Sequence, residues 1–381
     1  MTFISPPELV VNLNNIITNY KIYERILSPT ASSAVVKANA YGVGVSQVAR
    51  TLYTQANCKQ FFVATLSEGI ELRNYLGNNA AIYVFSGVFQ NEVKEFDNFN
   101  LIPVLNDWYQ LEIWMSYAKQ LSKKLPAVIH FDTGMNRLGF NMNDATKLSE
   151  NDFSSIDLRY VMSHLASADE RESAQNRFQL RQFQQIANKF PSTLKSFVNS
   201  AGSTLGKEYY YDLARIGKGL YGPSKVLGLD HPDLQIAVSL NAPILQIRNV
   251  DEFGQVGYNA TYKVKKDSTL ATIGIGYADG YLRSFSNRGR VYYKGYFLPV
   301  VGRVSMDYMV VDISQVPENL IHIGDMVEIL GKNITYEMIF YTSSTSTYEL
   351  FTRLSGRIEK KYFLNNQEVI NNNAKLVTKF G

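Results

Sequence analysis

Between residues 30 and 220 the chain repeats one pattern: a short apolar or β-branched run, then a stretch long enough for a helix, then another run. The runs cover residues 33–37, 60–65, 80–86, 101–106, 127–132, 158–164, 195–200 and 212–215. Several are apolar at consecutive positions, as strands buried on both faces must be. The intervening stretches 106–119 and 173–189 carry apolar residues at helical spacing. Strand alternating with helix predicts a parallel sheet with right-handed crossovers, and eight such units make a TIM (β/α)8 barrel. The runs end in Lys37, Thr65, Ser86, Asn106, Asp132, His164, Ser200 and Arg215. In such a barrel the C-terminal strand ends open on one mouth, which also holds the chemistry.

After about residue 235 the pattern changes. Runs at 236–250, 268–276, 298–304, 308–313 and 326–330 are separated by Gly, Asp and Pro turns, and helix-length spacers become rare. The predicted organisation is an α/β barrel over residues 1–235 and a mainly β domain over 236–381, with the opening segment 9–19 able to pack with either. A length of 381 residues suits two domains, and 45% hydrophobic with 19% charged residues is ordinary for a soluble protein. The single cysteine, Cys58, excludes an intrachain disulfide and argues against structural zinc, so no metal is expected. The net charge of +4 comes from scattered residues rather than the basic stripe that nucleic acid requires. No segment approaches the ~20 apolar residues of a membrane span. The opening MTFISPPELV lacks the basic-then-apolar order of a signal peptide, so a cytoplasmic protein is expected.

Candidate chemistry starts at SAVVKANAYGVG (33–44). Lys37 ends a buried strand, where desolvation favours the neutral amine a nucleophile needs. Gly42 and Gly44 would let the backbone turn closely around a ligand. On these grounds alone a salt-bridged or solvated lysine is the commoner case. As a string, however, VVKANAYG closely resembles the pyridoxal-phosphate attachment motif of the alanine racemase family. The resemblance continues in order through FDTGMNRLGF (131–140), SHLASADE (163–170), FVNSAGS (197–203), ARIGKGLYG (214–222), GYNATY (257–262), GYADGYLR (276–283) and VGRVSMDYMVVD (301–312), nearly the whole chain.

The resemblance implies a role for each matching residue. Lys37 holds pyridoxal 5'-phosphate as a Schiff base, and Tyr41, Ser200 and the amides of Gly217 and Lys218 contact its phosphate. His164 lies against the pyridine ring and Arg215 bonds the ring nitrogen. Many enzymes using this cofactor place a carboxylate there; arginine has no acceptor, so the nitrogen stays unprotonated and side reactions are suppressed. Arg137 takes the cofactor's phenolic oxygen and the substrate carboxylate, to which its planar fork is suited. Tyr277 lines the entrance, and Met306 with Asp307 centres the substrate-carboxylate segment. Racemisation removes the α-proton from one face and returns it to the other, which two fixed bases accomplish directly. By resemblance these are Lys37 for the D-enantiomer and Tyr258 for the L-enantiomer, with His164 and Arg215 as relay. Tyr258 and Met306 would come from the partner subunit of a head-to-tail homodimer. The implied activity is interconversion of L- and D-alanine, supplying D-alanine for peptidoglycan.

Three positions depart from the family pattern. Val43 stands where the motif usually has histidine. His130 stands where many relatives carry a carbamylated lysine that would orient Arg137. Gly356, in TYELFTRLSGRIEKKY (347–362), stands where some relatives contact the phosphate with tyrosine. None of the three removes a proton-transfer residue. The nearest alternative is a broader-specificity or serine racemase, separated by the room around the substrate methyl. A decarboxylase of basic amino acids shares the plan but would draw a cysteine from the β domain, whereas Cys58 lies in the barrel. A cofactor-carrier barrel would lack the β domain and Tyr258, and an unrelated sugar-binding barrel would leave the lysine motif unexplained.

Overall fold

A computed structural model describes residues 5–343 and 345–369. The chain divides into two compact units. One comprises Ile16–Ala40 and Val45–Gln235; the other gathers the described parts of Met1–Asn15, Tyr41–Gly44 and Ile236–Gly381.

Strand β1 (Glu8–Asn12) belongs to the second unit. The first is built on β2 (Ala31–Val35), β3 (Gln60–Val63), β4 (Ala81–Val84), β5 (Ile102–Leu105), β6 (Leu125–His130), β7 (Ile156–Met162), β8 (Leu194–Ser196) and β9 (Leu213–Ile216). These form one eight-stranded sheet in the order β8-β7-β6-β5-β4-β3-β2-β9, with every neighbouring pair parallel. Between the end strands the sheet is nearly closed by a parallel bridge, Asn199 to Arg215, with Arg215 N donating to Val198 O at 3.0 Å. The consecutive apolar residues are explained by burial on both faces: all of β5 is buried, as are Phe61, Phe62 and Val63 of β3. Each such side chain contributes roughly 1.5–3 kcal/mol of transfer free energy. Helices Val45–Gln55, Leu66–Leu76, Val93–Asn98, Trp108–Gln120 and Ala174–Lys189 lie between strands, as the alternation predicted. Two are started by side-chain caps: Thr65 accepts from Glu68 N and Asp107 from Gln110 N. The α/β barrel read from the pattern is the one observed.

The strands stop earlier than the apolar runs suggested. β2 ends at Val35, β6 at His130, β7 at Met162 and β8 at Ser196. Lys37, Asp132, His164 and Ser200 therefore stand beyond the ladder on loop backbone, while Arg215 lies within β9. At Lys37 the cause is plain. Ala38, Asn39, Ala40 and Tyr41 all adopt left-handed conformations, with φ of 52°, 53°, 53° and 56°, which turn the chain out of the sheet.

The second unit contains β1, β10 (Val238–Val250), β11 (Gly254–Val256), β12 (Tyr262–Val264), β13 (Ser268–Ile273), β14 (Arg290–Tyr293), β15 (Tyr296–Val301), β16 (Met309–Asp312), β17 (Met326–Leu330), β18 (Glu359–Leu364) and β19 (Gln367–Glu368). β11 and β12 form a separate hairpin. The others make a nine-stranded sheet in the order β13-β16-β15-β14-β17-β10-β1-β18-β19, curled so that β10 also pairs with β13. β1 runs antiparallel to β10 and parallel to β18, which makes the opening segment an interior strand of this sheet.

Tyr41–Gly44 clusters with this unit. Lys360 Nζ donates to Gly42 O at 2.7 Å and Tyr362 Oη to Val43 O at 2.9 Å. Gly42 and Gly44 have φ of +84° and +120°, and a Cβ on them would lie 2.0 Å from Phe351 O and 1.9 Å from Tyr362 Oη. Here the glycines serve backbone packing against Phe351 and Tyr362, a reason their place in the motif did not disclose. Among the described residues no helix is long and apolar enough to cross a membrane.

Candidate active site

The barrel mouth concentrates cations in a poorly solvated place. Lys37 is half-buried, with Nζ 5.9 Å from the centre of the Phe85 ring. Burial lowers its pKa, with Arg137 and Lys218 acting in the same direction and Glu68 against them. Lys37 is therefore biased toward the neutral amine, as its place at a strand end predicted. Burial also lowers the pKa of Lys218, opposed by Asp169.

Arg215 is 2% exposed and anchored by acceptors on neighbouring strand ends. Its Nη1 donates to Ser196 Oγ at 2.5 Å, and its Nη2 to Ser163 O at 2.5 Å and Phe197 O at 3.3 Å. Nη2 also lies 3.4 Å from His164 Nδ1. A guanidinium only donates, so this contact requires Nδ1 to accept and leaves the histidine proton on Nε2. Desolvation, then Arg215 and Arg137, hold His164 neutral by lowering its pKa well below the usual value. Burial pulls Arg215 itself down to about 9, so it stays cationic at neutral pH. Its Nε is buried without a partner. Such a donor costs roughly 1–3 kcal/mol unless an acceptor meets it, which marks the place where a ligand acceptor fits.

Ser200, 5% exposed, accepts from Gly217 N at 3.0 Å and Gly219 N at 3.2 Å through Oγ. Both amides approach the oxygen, so its own proton is available to a further acceptor, as an anion cradle requires.

Arg137 is exposed on a loop closed by Asp132 N to Phe140 O and Phe140 N to His130 O, both 2.8 Å. Asp132 Oδ1 accepts from Gly134 N and Met135 N, each at 2.8 Å. Among the described residues the Arg137 guanidinium has no hydrogen bond or ion pair, leaving its fork open to a carboxylate.

His130 is accounted for by Asn106. Its Nδ1 lies 2.8 Å from Asn106 Oδ1, while Asn106 Nδ2 donates to Phe85 O at 3.0 Å and Val104 O at 2.9 Å. The amide orientation is thereby set, Oδ1 must accept, and the histidine proton sits on Nδ1. Burial and Arg215 push His130 down to about 3, so it is a neutral group. This position therefore holds a neutral imidazole bonded to an amide.

The structure thus brings Arg137 and Lys218 within electrostatic reach of Lys37, Lys37, Arg137 and Arg215 within reach of His164, and Ser200 together with Gly217 and Gly219. Tyr41 belongs with the β unit, its ring edge-on to Tyr348 at 5.6 Å. Tyr277 and Met306 are neighbours there: Tyr277 N donates to Ser305 O at 3.1 Å and Ala278 N to Met306 O at 2.9 Å. Arg357 buttresses both segments, reaching Asp279 and Asp307 at 2.8 Å each. Tyr258 stands on the turn between β11 and β12. All three project into open space, Tyr258 68% exposed, Tyr277 44% and Met306 53%. Asn106, read only as a polar strand end, is the partner of His130; residues that pattern reading passed over are Ser163 and Ser196, which hold Arg215, and Glu68. The last carried a signal in T-x-x-E, residues 65–68, which reads as a helix start.

Comparison with known proteins identifies the family. Residues 11–225 match the family model described as alanine racemase, N-terminal domain, and residues 237–362 that of the C-terminal domain. The chain belongs to the alanine racemase family. It is 40% identical to an alanine racemase of Rickettsia canadensis, over 93% of this chain and 98% of that one. It is 42% identical to a catabolic alanine racemase of Rhizobium johnstonii, over 93% and 94%. The crystal structure of the Bartonella henselae alanine racemase with covalently bound pyridoxal phosphate superposes with a TM-score of 0.89 at 36% identity, covering 94% of this chain and all of that one. The biosynthetic enzyme of Pseudomonas aeruginosa gives 0.84 at 31%, covering 94% and 99%.

Proposed function

We propose that the chain interconverts L- and D-alanine with pyridoxal phosphate held at Lys37. The observation that carries this reading is the buried, unpartnered Nε of Arg215 at the mouth that also holds a desolvated lysine. A neutral ring nitrogen is an acceptor suited to that donor, and a phosphate suits the Ser200 hydroxyl, whose oxygen is held by the amides of Gly217 and Gly219. The residues present therefore fit the cofactor. When bound, pyridoxal phosphate supplies an electron-accepting ring that acidifies the α-proton of the amino acid it carries.

The rest is done by the chain's own groups. Arg215 keeps its proton at neutral pH and would donate through Nε to the ring nitrogen, which would then stay unprotonated and withdraw electrons less strongly. His164 is neutral, its Nδ1 facing Arg215, and would pack against the cofactor ring. Arg137 takes the substrate carboxylate, and Tyr41 adds its hydroxyl to the phosphate contacts. Lys37 Nζ, its pKa lowered by burial, takes the α-proton of D-alanine or returns one to that face. The Tyr258 hydroxyl does the same on the opposite face for L-alanine. Exposure of Tyr258, Tyr277 and Met306 on the β unit supports their presentation to the barrel mouth of a second copy, giving a homodimer with composite sites.

The enantiomers are equal in free energy in water, so cellular concentrations and not the site set the direction of flux. We assign the chain to D-alanine supply for peptidoglycan. The test is coupled D-alanine formation from L-alanine by protein loaded with pyridoxal phosphate, with serine assayed in parallel. Lys37→Ala is expected to lose both visible absorption and turnover. Tyr258→Phe is expected to keep the absorption and lose L-to-D turnover. Wild-type protein that binds the cofactor and leaves alanine unchanged refutes the assignment.

A further inference from the structure

The four consecutive left-handed residues after Lys37 amount to one turn of left-handed helix, with ψ of 51°, 50° and 51° at Ala38, Asn39 and Ala40. Each such residue is disfavoured relative to the right-handed form. A strained segment of this kind persists only where its surroundings over-determine it. Two holds come from nearby in the chain: Ala40 N donates to Val36 O at 2.9 Å, and Val45 N to Asn39 Oδ1 at 2.8 Å. The hold nearest the lysine comes from another element. Glu68 Oε1 accepts from Ala38 N at 2.7 Å, and that N–H belongs to the peptide joining Lys37 to Ala38. Its second oxygen, Oε2, accepts from Ala64 N at 2.7 Å, at the exit of β3.

We propose that Glu68 is the positioning residue for Lys37, its carboxylate pinning the lysine's own peptide to the exit of the neighbouring strand. The inference rests on the reading of Lys37 as the cofactor-bearing residue. Glu68 is well placed for the task. It sits in the first turn of Leu66–Leu76, and its backbone is fixed by Thr65, whose Oγ1 accepts from Glu68 N at 3.4 Å. In an ordinary capping box the carboxylate would turn back to the Thr65 N–H. Here it takes the Ala64 and Ala38 amides instead, which joins the helix start to the lysine turn. Charge-assisted bonds to both oxygens fix the rotamer. Of the charged groups acting on Lys37, Arg137 and Lys218 disfavour its protonated form and Glu68 alone opposes them. One side chain thus holds the peptide from which Lys37 projects and favours the protonated amine against burial and its cationic neighbours.

The test compares wild type with Glu68→Gln, which is nearly isosteric, and with Glu68→Asp and Glu68→Ala, after thermal unfolding has identified which variants fold. In cofactor-free protein, modification of Lys37 by trinitrobenzenesulfonate is followed against pH by peptide mass spectrometry. In loaded protein, borohydride trapping maps the attached lysine, and kcat and KM are measured separately. Glu68→Gln is expected to shift the pH midpoint of Lys37 modification downward. Its kcat should fall about tenfold, as loss of one charge-assisted bond corresponds to, with KM nearly unchanged. Glu68→Asp should recover the midpoint better than kcat, since it restores charge but not reach. Midpoint and kcat both within about twofold of wild type in folded Glu68→Gln overturn the inference. A lowered melting temperature with midpoint and kcat unchanged does so as well, since it reduces Glu68 to a helix cap. Trapping at a lysine other than Lys37 defeats the attachment reading instead, and the cofactor-free titration still reports on Glu68.

Discussion

Acid should destabilise this protein through a histidine that the fold keeps neutral. His130 is 8% exposed, and burial, then the nearby Arg215, lower its pKa from the ordinary 6.5 to about 3, with Asp132 opposing and Arg137 assisting. In the unfolded chain the imidazole takes its proton near pH 6.5; in the folded chain it does not until about pH 3. The unfolded state therefore binds more protons throughout that window, and stability must fall as pH falls. The contribution is complete above 6.5 and is lost progressively down to the folded value. At about 1.4 kcal/mol per pH unit for each proton, His130 alone removes roughly 2 kcal/mol between pH 7 and pH 5. His164, also held well below its ordinary value, acts with the same sign. The assay is urea unfolding of cofactor-free protein at fixed protomer concentration from pH 7.5 to 5, above the range where most carboxylates titrate. His130→Gln is the comparison, because Gln offers a donor to Asn106 Oδ1 and carries no titrating proton. Any pH-independent cost of the substitution cancels in the slope. The variant should lose about 1.4 kcal/mol per pH unit less than wild type near pH 5.5. Equal slopes would falsify the assignment of His130 as a buried neutral group.

Other consequences concern the same neighbourhoods. Tyr362→Phe withdraws the donor from the buried carbonyl of Val43 and should cost about 1–3 kcal/mol in chemical denaturation. Gly44→Ala should cost more, because its Cβ would overlap Tyr362 Oη at 1.9 Å. Combined with Tyr362→Phe it should recover part of that loss, so a double-mutant cycle that is strictly additive counts against the packing account. Turnover should be indifferent to removal of carbon dioxide and bicarbonate, since His130 has no primary amine to carbamylate. A drop in rate in decarbonated buffer, restored by bicarbonate, would contradict the neutral His130–Asn106 arrangement.

Much of the barrel was legible because a strand buried on both faces leaves a local record. Consecutive apolar residues at 61–63 and 102–105 and helical spacing at 174–189 report burial and backbone preference without reference to distant parts of the chain. The lysine motif was legible as a string for the same reason. What the pattern did not contain were choices made between residues far apart. β1 reads as five ordinary residues, and only pairing with β10 and β18 makes it an interior strand. Gly42 and Gly44 look like ligand-facing glycines until Phe351 and Tyr362 occupy the space where side chains would stand. T-x-x-E reads as a helix cap, yet its carboxylate turns to Ala38, thirty residues back. The protonation of His130 depends on an amide 24 residues away and on Arg215 from another strand. Propensity and periodicity are properties of neighbouring residues, so the sequence alone determined the alternation of strands and helices in the barrel and the change to short strands after it. Desolvation, hydrogen-bond partners and steric exclusion depend on which atoms share a volume, and the tertiary structure alone decided that.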